Sequence, residues 1–171
     1  MKLKLKDIIV LALIAALMTV SKFIMEFLPN IHLLGVLIVA TTVVYRKYAL
    51  FSIYVYIIIQ GFVGGFSPWW IPYLYIWTVL WVAIMLIPKK LPEKIKYVLY
   101  VVFCAMHGFL YGVLYAPTQA IMFGLDFKGT IAWITAGLYF DMLHGIGNLV
   151  LGIALIYPII KVLKFADKYA R

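Results

Sequence analysis

Two polar constellations stand out in an otherwise apolar chain. His107, Tyr111, Tyr115 and Gln119 follow one another at four-residue steps, so on a helix they form a single stripe of hydrogen-bonding groups. Asp141, His144 and Asn148, at i, i+3 and i+7, share one helical face. Lys22 and Glu26 make a further i, i+4 pair, and Gln60 stands alone in an apolar run. Aromatic residues gather beside them: Trp69, Trp70, Tyr73, Tyr75 and Trp77 in one stretch, Trp133 and Tyr139 in another. Imidazole, carboxylate, amide and ammonium groups next to indole and phenol rings suit the recognition of a flat polar ring or a cation. The same inventory argues against hydrolysis, because Ser21, Ser52 and Ser67 fall in no nucleophile motif. Asp141 and His144 have no second carboxylate cluster to complete a metal centre. The single cysteine, Cys104, has no partner for a disulfide and reads as a small core residue.

Each group also has a plainer reading. Trp and Tyr collect at membrane interfaces as anchors. Lys22 and Glu26 can be an internal ion pair or snorkel outward, and Asp141, His144 and Asn148 can be a purely structural network between helices. A histidine alone, such as His107, is more often a satisfied core residue, and its place in a polar stripe is what raises it. Against these readings stands the cost of keeping ionisable groups at membrane depth, where they are usually retained for a task.

Membrane depth follows from composition. The 171 residues are 67% hydrophobic and 12% charged, with mean hydropathy +1.08, which leaves too little polar surface to coat a soluble domain. Of the 15 basic residues, 13 lie before the first apolar run (Lys2, Lys4, Lys6), between the second and third (Arg46, Lys47), between the fourth and fifth (Lys89, Lys90, Lys94, Lys96) or at the end (Lys161, Lys164, Lys168, Arg171). Only Lys22 and Lys128 lie elsewhere. Basic loops stay in the cytoplasm, so both termini are expected inside with an even number of crossings. The chain is long enough for about six spans of roughly 20 residues. The expectation is an all-α integral membrane protein, a six-transmembrane-helix bundle forming one domain over residues 1–171. Its helices are placed at about residues 7–28, 33–45, 48–62, 69–87, 97–122 and 130–165. The first is read as retained, since no small-x-small cleavage site precedes Pro29. Pro117 is expected to kink the fifth, and the last is too long for one straight crossing. A net charge of +9 spread over short loops fits orientation and anionic lipid headgroups rather than nucleic acid.

In this topology most of the polar groups converge on the outer half of the bilayer. The glycine-rich segment Gly61, Gly64, Gly65 to Pro68 would make a mobile outer loop beside them. Ala12 and Ala16 form an AxxxA strip on the inner half of the first helix, a surface that another helix can approach closely. If it faces outward it is a docking surface; if inward, an intramolecular contact.

With these features the chain resembles the substrate-binding S components of energy-coupling-factor (ECF) importers. The resemblance rests on size, six helices, inside termini, the run IVLALIAALMTVSKF with its AxxxA, and polar and aromatic residues gathered outside. It implies a multi-pass protein of a prokaryotic plasma membrane that captures a vitamin-like molecule from outside. Its partners would be a transmembrane coupling subunit and two cytoplasmic ATPases, with Ala12 and Ala16 docking the former. The chain has no Walker sequence and would be neither an enzyme nor a holder of a cofactor. Lys2 stands where nickel- and cobalt-binding members carry a histidine, and the fourth helix lacks the acidic residue of thiamine-binding members. The substrate expected is a small polar nitrogen heterocycle (pyridoxine-like, pyrimidine or deazapurine), with a corrinoid as an outlier. Two rivals are a haem held by His107 and His144, disfavoured by a depth mismatch counted along the helices, and a structural subunit without ligand.

Overall fold

The computed structural model describes residues 5–170, with side chains up to Lys168; Lys2, Lys4 and Arg171 lie outside the described residues. Among the described residues there is no strand. The helices are α1 (Leu5–Ile24), α2 (Leu34–Tyr45), α3 (Ala49–Gly64), α4 (Tyr73–Leu86), α5 (Glu93–Phe109), α6 (Tyr111–Phe123) and α7 (Phe127–Ala170). A single 3-10 turn, Arg46–Tyr48, joins α2 to α3. By length and composition four helical stretches are long and apolar enough to cross a membrane: Leu5–Ile24, Leu34–Gly64, Glu93–Phe123 and Phe127–Lys168, the second interrupted at Arg46–Tyr48 and the third at Leu110. Their outward faces stay apolar, with Leu13, Leu17, Val150 and Ile153 all exposed, as a lipid surround requires.

Side-chain contacts give the relative direction of the helices. Ser52 of α3 donates to the Leu11 carbonyl of α1 at 2.7 Å, and Lys22 at the far end of α1 donates to Gln60 near the far end of α3 at 2.9 Å. α1 and α3 are therefore parallel. Between them α2 runs back, from His32 beside the His144 ring to Arg46, whose guanidinium donates to the Met85 carbonyl near the end of α4 at 3.1 Å. Arg46 has φ of 53° and ψ of −121°, far from helical values, and the chain reverses there inside the Leu34–Gly64 run. α5 with α6 runs antiparallel to α7, since Tyr97 donates to Ile153, Asn148 to Cys104, and Tyr115 stacks on Trp133. Arg46, Lys94, Lys96 and Lys164 thus share one end of the bundle, while Lys22, Trp69 and Trp133 mark the other.

Among the boundaries that differ from the sequence reading, three have a local reason. α1 stops at Ile24, and residues 25–28 continue as turns with bonds such as Leu28 N–H to Met25 at 2.9 Å. α4 begins only at Tyr73 because Pro68 and Pro72 withhold amide donors from the preceding turns. The long fifth helix breaks not at Pro117, which α6 contains, but at Leu110, between Gly108 and Gly112. Glycine lowers helix stability by about 1 kcal/mol relative to alanine. α7 has 44 residues, about 66 Å at 1.5 Å per residue, roughly twice a bilayer core.

The core centres on α2, buried almost all round from Leu34 to Thr42, as a helix enclosed by others should be. The most extensive helix pair is α5 with α7. There a Cβ added to Gly108 would lie 2.8 Å from the backbone of Gly145, so the two backbones nearly touch. Gly108→Ala is expected to force this pair apart and lower stability by about 1–3 kcal/mol. Thermal unfolding in detergent checks it, with Gly137→Ala, which meets open space, as the near-neutral control.

Candidate functional site

A cavity of about 430 Å³ lies at the end of the bundle opposite the basic loops. Seven of its thirteen lining residues come from the connection between α1 and α2 (Met25, Glu26, Leu28, Pro29, Asn30, Ile31 and His32). Lys22 enters from α1, Trp69 and Tyr73 from the α3–α4 side, Tyr111 and Tyr115 from α6, and His144 from α7. A second hollow of about 390 Å³ adjoins it, sharing Lys22, Glu26 and Trp69 and reaching Gln60.

Lys22 is the cavity's cation. It donates to Gln60 Oε1 at 2.9 Å and Tyr73 OH at 3.5 Å, and its ammonium lies 5.8 Å and 5.3 Å from the Trp69 and Tyr73 ring centroids. The i, i+4 spacing does not yield an ion pair with Glu26: α1 ends before Glu26, which is exposed at the cavity rim.

The floor is a cluster of rings. His144 is 2% exposed and its centroid lies 4.9 Å from His32, 5.0 Å from Tyr111 and 6.5 Å from His107. Trp77 packs beneath, 5.4 Å from His107 and 5.7 Å from both Tyr73 and Tyr111. His32 Nδ1, His144 Nε2, His107 Nδ1, Trp77 Nε1 and Gln60 Nε2 are buried with no hydrogen-bond partner in the protein. Polar atoms left in this state are costly unless another molecule completes them. His32, in the interhelical connection, is pushed down to about 4, first by burial and then by the Lys22 charge, so it is neutral near pH 7.

The remaining residues of the two constellations serve elsewhere. Asp141, 5% exposed, accepts from the Gly112 amide through both oxygens at 3.0 Å. That amide belongs to the first turn of α6, where a helix leaves donors without intrahelical partners, and a carboxylate there also suits the helix dipole. A Cβ on Gly112 would come within 2.4 Å of Asp141 Oδ2. Asn148 donates to the Cys104 carbonyl at 3.1 Å, tying α7 to α5. Trp70 donates to Ile57 at 2.8 Å, Trp133 stacks on Tyr115 at 5.7 Å, Tyr139 points outward, and Gln119 is half-buried; none lines the cavity. Tyr115 does, and its hydroxyl donates to the Trp69 carbonyl at 2.8 Å. The Gly61–Pro68 segment is held down rather than open: α3 runs on to Gly64, Phe66 lies over Gly61 and Trp69 over Gly64.

Sequence reasoning missed His32 and Asn30 as site residues, and it named Trp69 among the gathered aromatics without preferring it to Trp70. His32 follows Pro29-Asn30 in a short connection at the same end as Lys22, which was signal enough. The depth mismatch invoked against haem is overturned, since His107 and His144 lie level, 6.5 Å apart. A porphyrin nevertheless does not fit: His107 Nε2 is bonded to the Ile76 carbonyl at 3.0 Å, and Trp77 and Tyr111 fill the space around the two rings. Among the described residues no group of three or more His, Cys, Asp or Glu is arranged to hold a metal ion.

No family model matches the chain, and no curated protein or solved structure is detectably similar to it. The site therefore stands on its own geometry. Asp141→Ala is expected to cost about 1–3 kcal/mol of stability by stranding the Gly112 amide, while any ligand of the cavity keeps its affinity. His144→Ala is expected to do the reverse. Thermal unfolding and ligand retention, measured on both variants, check this crossover.

Proposed function

We propose that this protein is a membrane-embedded substrate-binding subunit, of the type found in ECF importers, that captures a small polar nitrogen heterocycle from outside the cell. The observation that carries this reading is the outer cavity, where His32 Nδ1 and His144 Nε2 are buried without partners and the one lining cation is already held in place by Gln60 and two aromatic rings. A preformed polar pocket of this kind is arranged to be completed by a ligand. Its volume of about 430 Å³ is near the small end of the range for ligand sites, about 300–1,000 Å³, which favours a one- or two-ring compound over a corrinoid. Trp69 and Tyr73 offer ring faces, His32 and His144 offer a donor or acceptor to ring nitrogens, and Lys22 takes a carbonyl, hydroxyl or anionic substituent.

Six crossings with both termini in the cytoplasm form part of the proposal. The alternating directions of α1, α2, α3, α4, α5–α6 and α7 support it, as does the grouping of Arg46, Lys94, Lys96 and Lys164 at one end. α2 and α4, with 12 and 14 residues, reach only about 18–21 Å. Their crossings would be completed by the flanking turns and by a locally thinned bilayer.

Delivery would require partners, a coupling subunit and two ATPases, because nothing in the chain binds ATP through a Walker sequence. Ala12 and Ala16 are both exposed, on a face of α1 continuous with Leu13 and Leu17. Their small side chains would let a coupling helix approach closely. The α1–α2 connection supplies the cavity's rim, so it rather than Gly61–Pro68 would move to admit and release substrate.

The test is native mass spectrometry of the detergent-purified chain with release and identification of bound small molecules. One stoichiometric heterocycle is expected, with His32→Ala and His144→Ala each weakening retention by about tenfold, the order of one good hydrogen bond to a buried group. Retention of no small molecule, even from cell extract, would defeat the reading. Ala12→Trp with Ala16→Trp is expected to abolish co-purification of a coupling subunit while ligand retention stays intact.

A further inference from the structure

The basic end of the bundle carries a second cleft, of about 470 Å³, between α5 and α7 and reaching Val43 of α2. It plays no part in the reading above. Its composition is divided. Lys94 and Lys164 supply its positive charge, and Glu93, which also lines it, is already paired to Lys96. Ile153, Ala154, Pro158 and Ile160 form its apolar wall. Tyr97, Tyr100 and Tyr157 sit at the junction, the level at which amphipathic rings settle in a membrane interface. These rings are braced, with Tyr97 donating to the Ile153 carbonyl, the Tyr97 and Tyr157 centroids 6.0 Å apart, and Lys161 lying 4.5 Å above the Tyr157 ring.

The wall continues onto surface that is plainly apolar, since Ile153 is 59% and Tyr157 53% exposed. A water-soluble anion would match the lysines and leave this wall uncovered. An apolar peptide would match the wall and leave the lysines without partners. One class of molecule meets both, a phosphate joined to acyl chains, and basic pockets between helices on the cytoplasmic side are suited to anionic headgroups. Pro158 adds a further preference. It has no amide hydrogen for the carbonyl of Ala154, four residues earlier, and both residues line the cleft. A headgroup bearing hydroxyls can donate there.

We propose that the cleft between α5 and α7 is a binding site for an anionic phospholipid of the phosphatidylglycerol kind. Its phosphate sits between Lys94 and Lys164, and its acyl chains lie along the apolar wall. The lipid pins the cytoplasmic ends of the bundle's most extensive helix pair, and the neutralised lysines hold that end at the level of the headgroups.

The experiment uses the full-length protein in nanodiscs of phosphatidylcholine, with or without added phosphatidylglycerol, followed by native mass spectrometry of the released protein. One phosphatidylglycerol per chain is expected to remain bound, and its presence to raise the unfolding temperature. Lys94→Gln with Lys164→Gln is expected to weaken that retention by about tenfold or more. Lys94→Arg with Lys164→Arg keeps it, which guards against a folding defect. Lys89→Gln with Lys90→Gln, removing the same charge outside the cleft, leaves it unchanged. Equal losses in both glutamine pairs would reduce the effect to general surface charge and overturn the site. The same rise in unfolding temperature with inorganic phosphate, or retention of phosphatidylcholine as strong as that of phosphatidylglycerol, would overturn it too. Ligand retention in the outer cavity is a separate readout that none of these variants should move.

Discussion

The close approach of α5 and α7 is the constraint on which the rest of the structure depends. Gly108 and Gly145 bring the two backbones to near contact, and in a membrane such packing has to be won by shape, because lipid tails are as apolar as leucine. The bonds along and beside this seam assume that spacing: Tyr97 to Ile153 and Asn148 to Cys104 between α5 and α7, and the Gly112 amide to Asp141 between α6 and α7. The seam also permits the break at Leu110. An interrupted helix exposes backbone donors that hydrocarbon cannot satisfy, and Asp141 supplies the acceptor from the neighbouring helix. Without α7 at that distance, α6 would have no satisfied start.

The break in turn shapes the cavity. It separates His107, which faces Ile76 and Trp77 below, from Tyr111 and Tyr115, which reach the cavity itself. The seam sets His107 and His144 at one level, and α2, enclosed between α1, α4 and α7, delivers His32 onto the same floor. Three imidazoles from three distant segments therefore meet in one apolar surround. Burial there is tolerable for neutral rings and would be prohibitive for three cations.

The two ends of the bundle solve opposite problems. At one, Arg46 donates to the Met85 carbonyl and its own carbonyl accepts from Trp81 at 3.0 Å, so a reversal between helices carries both fixed charge and satisfied backbone. At the other, charge is sparse, and Lys22 is stabilised by Gln60 and ring faces rather than by a carboxylate. A cation held that way remains able to engage an incoming polar group. A buried ion pair with Glu26 would have spent it.

The helical character, the membrane class and the clustering of basic residues at one end were legible from residues alone, because hydrophobic runs and loop charge act locally and follow chain order. So were Lys22, Tyr73, Tyr111, Tyr115 and His144 as cavity residues, since polar groups in apolar runs are conspicuous. Spacing could not tell that Asp141 and Asn148, on the same face as His144, hold backbone groups instead. That depends on where α5 breaks, and two glycines displaced the break from the more obvious proline. Counting residues from the helix ends misplaced His107 against His144 because the two ends are not level: Tyr97, near the start of α5, pairs with Ile153, and α7 runs on from there to Ala170. Chain order could not bring His32 beside His144 either, or choose Trp69 over Trp70. Those placements come from the packing of helices distant in sequence, where side-chain volume and backbone hydrogen bonding, rather than local pattern, decide which groups meet.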